Sequence, residues 1–223
     1  MASHLACLGL EPDDDGSAFD RLMEALLRSG TARGLEDGWT GVTFTDPSGA
    51  RVVFGVHPDG SVPVLQPSFA GARRQPFLLT RAPVAPSALA LGELTTSGTG
   101  LALDLADPLA LGVQGEAAGD IALTLLAESV GPAAADEPDT LATVGLLAVG
   151  AAPGAEPEPV ALAVGVVQRA APRRTVATAQ AWVHVELRTP MGVVDVCCSA
   201  VELDPLPASG DRLRVEAYVV GAL

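Results

Sequence analysis

The chain has 223 residues, is 48% hydrophobic and carries a formal net charge of −14. That length and apolar content fill a real core, which excludes a disordered chain; with only 4% aromatic residues, the core is small and aliphatic. All 13 basic residues are arginine, so Schiff-base, P-loop and lysine-base chemistry are excluded together.

Residues 4–10, HLACLGL, predict a short apolar strand, followed by the turn EPDDDG. A helix is expected from Ser17, whose hydroxyl can cap it while Asp20 supplies a capping-box-like carboxylate. Phe19, Leu22, Met23, Leu26 and Leu27 recur at helical spacing as one buried stripe, and Gly30 is placed to end it. Three strands follow at Trp39–Thr45, Arg51–His57 and Val62–Pro67, joined by Asp46-Pro47-Ser48-Gly49 and Pro58-Asp59-Gly60 turns. The predicted order is β-α-β-β-β.

Beyond Gly71 the pattern alternates with period two, as in Leu101, Leu103 and Leu105 and in Ile121, Leu123 and Leu125, which predicts strands with one covered face. Gly and Pro every 8–12 residues favour a β-meander or sandwich. Residues 131–139 and 150–159 combine Pro, Ala and acids and are expected as mobile surface connections, the second as a boundary. The last segment predicts strands at Val160–Arg169, Thr178–Thr189, Val193–Leu203 and Arg212–Val220, a layout that could curl into a small barrel of the oligonucleotide/oligosaccharide-binding (OB) type. The expected fold class is α+β, mostly β, organised as a βαβββ module at 1–71, a β-rich region at 72–159 packed with it, and a barrel-like segment at 160–223.

Charge is placed unevenly. From Val160 to Leu223 six arginines face six acids, so residues 1–159 hold seven arginines against 21 acids. That surface repels phosphate backbones. Cys7, Cys197 and Cys198 form no disulfide framework and predict a reducing, cytoplasmic setting; Cys197 and Cys198 should point to opposite faces of one strand, one into the core and one half-exposed. His4-Leu5-Ala6-Cys7 lacks the basic and apolar regions of a lipoprotein signal, and no apolar run is long enough to span a bilayer.

His4-Leu5-Ala6-Cys7-Leu8-Gly9-Leu10 and Asp46-Pro47-Ser48-Gly49-Ala50-Arg51 together resemble one βαβββ module of the vicinal oxygen chelate superfamily, which includes glyoxalase I and bleomycin-resistance proteins. The resemblance implies that His4 occupies a metal-binding position, with a glutamate ligand two residues beyond the Arg51 position. That place is Val53, which cannot coordinate a divalent ion. The whole layout, ending in Gly221-Ala222-Leu223, is also similar to uncharacterised actinobacterial proteins.

Arg173 and Arg174, with Arg169 and Arg188 nearby, are the one basic cluster and the predicted ligand or interface site, placed on the loop APRRT, where they would answer the acidic N-terminal half across a domain or subunit contact. His57 and His184 are expected as surface or satisfied histidines. No Ser-His-Asp constellation, G-x-S-x-G elbow or C-x-x-C pair is present; Asp13, Asp14 and Asp15 are expected as a solvated turn. The function expected is a non-catalytic binding or protein-interaction module without a cofactor or metal, its partner an unknown protein or a second copy. The alternatives are a two-chain chelate-type metalloenzyme using His4, and single-strand nucleic-acid binding by the C-terminal segment, which the net charge and scarce aromatics disfavour.

Overall fold

Two helices precede the first strand in the computed structural model, which describes residues 2–11, 16–82, 88–107, 117–143 and 157–223. They are α1 (Ala2–Ala6) and α2 (Gly16–Ser29). The strand predicted at residues 4–10 is therefore a helix and a turn. Leu8 and Gly9 N–H donate to the Leu5 and Ala6 carbonyls, and Leu10 N–H reaches back to Leu5. Gly9 takes φ +62°, the left-handed conformation that stops a helix, and any Cβ there would meet Gln180 O, Thr175 Oγ1 and the Trp182 ring at 2.9 Å.

The helix α2 matches its predicted stripe, with Met23 and Leu26 buried. After it come β1 (Thr31–Gly34), which the sequence pattern does not reveal, then β2 (Thr40–Thr45), β3 (Ala50–Val56) and β4 (Val64–Phe69). They form an antiparallel sheet in the order β1-β2-β3-β4. The N-terminal order is thus ααββββ.

Nine further strands share a second sheet: β5 (Gln75–Arg81), β6 (Leu89–Leu94), β7 (Thr99–Leu105), β8 (Ala117–Pro132), β9 (Thr140–Thr143), β10 (Val160–Arg174), β11 (Ala181–Thr189), β12 (Gly192–Ser199) and β13 (Arg212–Ala222). Its pairings close on themselves twice. One cycle runs β8-β5-β6-β7-β13 and the other β8-β12-β11-β10-β13, and both use the long antiparallel β8–β13 ribbon. Each half of the sheet contributes three consecutive antiparallel strands and a fourth, β8 or β13, and it is this fourth strand that links the halves. That fourth strand pairs antiparallel with the first strand of its own half and parallel with the third strand of the other. Strands β5 to β8 therefore repeat topologically as β10 to β13.

Residues 160–223 supply only four strands of the second cycle; the fifth, β8, comes from the preceding region. Strand β8 also departs from the one-covered-face expectation. Its Ile121, Leu123, Leu125 and Ala127 enter the core enclosed by the nine strands, while Leu126 enters a second core beneath α1, α2 and the four-stranded sheet. The same layering buries both vicinal thiols, Cys198 in the first core and Cys197 in the second, because the N-terminal layer covers the face on which a half-exposed cysteine was expected.

Residues 133–139 are not a free connection. Arg212 donates to the carbonyls of Ala134, Ala135 and Glu137 and pairs with Asp139 at 2.6 Å, and Arg214 pairs with Glu137 at 2.8 Å. Most of the loop expected at 150–159, and the turn at Asp13 to Asp15, lie outside the described residues. Among those described, no helix is long and apolar enough to cross a membrane.

Candidate functional site

The Asp46-Pro47-Ser48-Gly49 turn has a structural task. Asp46 is buried; one carboxylate oxygen accepts the Ser48 N–H at 2.8 Å, and the other accepts Val176 and Ala177 N–H at 2.9 and 3.2 Å. The turn thus grips the β10–β11 connection. Nearby, Thr175 Oγ1 donates to Leu8 O at 2.5 Å and accepts from Trp182 Nε1 at 3.1 Å, tying α1 to the same hairpin. Val53 is buried on β3 opposite Gln66.

Between the N-terminal layer and the nine-stranded sheet runs a polar seam. His184 Nε2 and Asp195 Oδ1 pair at 2.8 Å, both buried, with the Phe69 ring 4.6 Å from the imidazole. Arg73 and Glu186 pair beside them at 2.5 Å. The three histidines stay apart in their contacts: His57 sits by Asp59 and the edge of Trp39, whereas His4 stacks on Tyr218 with ring centroids 4.3 Å apart and places Nε2 3.2 Å from Glu128 Oε1. Among the described residues, no three His, Cys, Asp or Glu side chains gather as a metal site.

A cleft of about 480 Å³ is lined by His4, Pro63, Val64, Leu65, Gln66, Pro67, Ala88, Asp104 and Tyr218. One wall is β4, one of the two edge strands of the small sheet; prolines at positions 63 and 67 suit such an edge because they lack an N–H to donate. The other wall is β7 and β13, where the Tyr218 hydroxyl donates to Asp104. Burial pushes the Asp104 carboxyl above its usual range, opposed by the Tyr218 donor and the nearby His4. Burial and the Asp104 charge push the Tyr218 phenol up as well, offset in part by the Gln66 side chain alongside it. Tyr218 therefore stays protonated and holds Asp104 in place. Gln66 is 5% exposed; its amide faces the Tyr218 hydroxyl, and its Nε2 makes no close hydrogen bond that would serve both N–H groups.

A larger cleft of about 590 Å³ lies between the 202–207 loop and the β8–β13 ends. Its arginine, Arg212, is already spent on the 134–139 carbonyls and Asp139. None of its lining side chains carries a buried polar atom without a partner, so the smaller cleft is the better candidate.

Arg173 and Arg174 lie in β10 and not in a loop, which separates them. Arg174 is exposed and donates to Ala179 O at 2.5 Å; Arg173, opposite Trp182, is half-buried with Nε unpartnered. Adjacent residues of a strand face opposite ways, so the two do not form one patch. The residues that line the cleft come from α1, β4, β7, β13 and the positions just before β4 and β6, and sequence reasoning singled out His4 alone among them as a candidate ligand. The available signals were polar residues inside apolar strands, Gln66 in VLQPSF and Asp104 in LALDLA. No protein-family model, curated protein or solved structure gives a significant match to the chain.

Proposed function

We propose that the chain is a non-catalytic binding module that holds a small polar ligand in the cleft between β4 and the β7–β13 pair. The observation that carries this reading is the Gln66 amide, buried in the cleft wall with no acceptor but the Tyr218 hydroxyl beside it for its two N–H groups. A buried donor without an acceptor costs the desolvation of the group, and a ligand carbonyl or oxyanion restores the bond. Asp104 and Tyr218, held to each other, supply a fixed polar edge opposite it. Such a cavity, mostly apolar with a few placed polar groups, has the build of a small-molecule site.

We also read β8 with β10–β13 as a barrel of the OB type; the support is a five-strand cycle of pairings. Single-strand recognition by such barrels uses exposed rings on which bases stack, whereas Trp182 is fully buried and Tyr218 is covered on one face by His4. Those contacts favour a small ligand over a nucleic-acid strand. The test is an NMR titration of the full chain with acetamide, inorganic phosphate and succinate. The expected result is a saturable shift of the Gln66 side-chain amide by at least one probe; three probes that leave that amide unmoved would overturn the reading.

A further inference from the structure

Gln66 is not alone. Arg51 Nε and Ser68 Oγ are also buried without a partner, so three of the four such side-chain atoms among the described residues belong to β3 and β4. In the ladder Arg51 stands directly opposite Ser68, and Val53 opposite Gln66. Directly paired residues share a face, as do residues two apart on a strand, so Arg51, Gln66 and Ser68 occupy one face of the small sheet. Ser68 is 1% exposed. Solvent does not serve these groups.

The chemistry of the three is one-sided. Guanidinium and amide nitrogens only donate, and the hydroxyl can turn to donate. Native structures leave few buried polar groups unpaired, and a cluster of them calls for an explanation. What satisfies three donors on one face is a group with several acceptor oxygens. The nearby charges agree: Arg74 and Asp107 are the ionised neighbours felt by Arg51, and Arg74 is pinned there through Asp120 O and Ala222 O. Arg51 and Arg74 face Asp107, and the Asp104 carboxyl, which burial pushes toward its neutral form, lines the cleft with Gln66. Charge-assisted donors are the strong ones.

We infer that the Arg51–Gln66–Ser68 face is an oxyanion site, taking the carboxylate or phosphate of a small ligand whose remainder occupies the cleft. The inference rests on the cleft reading, because Gln66 belongs to both. It also names the ligand class, a small organic acid or phosphorylated metabolite.

The test uses the full chain at constant ionic strength, with phosphate, succinate and neutral acetamide followed by NMR at the Arg51 Nε–H and the Gln66 amide. At least one anion should move both signals saturably, and phosphate or succinate acting alone assigns the group. Ser68→Ala and Arg51→Met should each weaken that binding about tenfold or more, the loss expected for one charge-assisted bond. Ser68→Ala should at the same time leave the unliganded melting temperature unchanged or higher, since it deletes an unsatisfied hydroxyl. Acetamide moving Gln66 while neither anion does would overturn this inference and leave the cleft reading standing; silence from all three probes would overturn both. Anion binding undiminished in both variants would place the anion elsewhere and also overturn it.

Discussion

Asp46 shows how one side chain can look like chemistry and serve architecture. Its carboxylate collects three backbone N–H groups, two of them from residues 130 or more positions away. Charge-assisted bonds of this kind contribute about 1.5–3 kcal/mol each in favourable settings, less where water can replace them. Asp46→Ala should therefore cost about 2–3 kcal/mol in urea denaturation, and an unshifted midpoint would show that the grip contributes nothing. Asp104 bears on pH. Its folded-state pKa is raised by burial, so the native state holds its proton longer than the unfolded chain does. The resulting stability is full below the ordinary carboxylate range and is lost as pH climbs through the raised value. Asp104→Asn should remove that decline and be the more stable protein at neutral pH; parallel stability–pH curves from pH 4 to 8 for both proteins would refute this. At this scale little of the site was legible, because Gln66, Asp104 and Tyr218 are single polar residues in three apolar strands far apart in sequence. No local spacing connects them.

Elements were more legible than the contacts among them. The α2 stripe and the Leu101, Leu103 and Leu105 alternation in β7 follow directly from periodicity, since a helix or strand with an apolar face announces its repeat. The failures have specific causes. Residues 4–10 are short and apolar, a pattern that suits either a strand or a buried turn of helix, and the deciding feature is the left-handed Gly9 packed against Thr175 and Trp182. Strand β1 is exposed along its whole length, so it leaves no hydrophobic signature. The proline and two charges of APRRT read as a loop around Arg173 and Arg174, yet Pro172 lies within β10, opposite Val183. The pairing with β11 carries the strand through them.

For the whole molecule, the β-rich class was readable from composition and alternation, while the closure of the sheet was not. Cyclic pairing depends on which strand lies beside β8, and β5, β12 and β13 all do. Residues 160–223 expressed alone should accordingly fail to fold, since they lack β8 and would expose the edge of β13 that β8 covers along its length. Residues 72–223 contain every strand of both cycles. Circular dichroism and amide dispersion in NMR check this; a well-dispersed spectrum from 160–223 alone would show that the second cycle does not need β8.

The shared ribbon also sets a timetable for synthesis. Neither cycle can close until residues 212–222 have left the ribosome, because β13 belongs to both. The small sheet, by contrast, has its strands in immediate succession and can pair as soon as it emerges. Until β13 arrives, β7 and β8 lack the neighbour that covers their edges, and unpaired edges of this kind invite pairing with other chains. The nascent protein thus carries its greatest aggregation hazard before β13 emerges, and that strand ends the hazard for both halves at once.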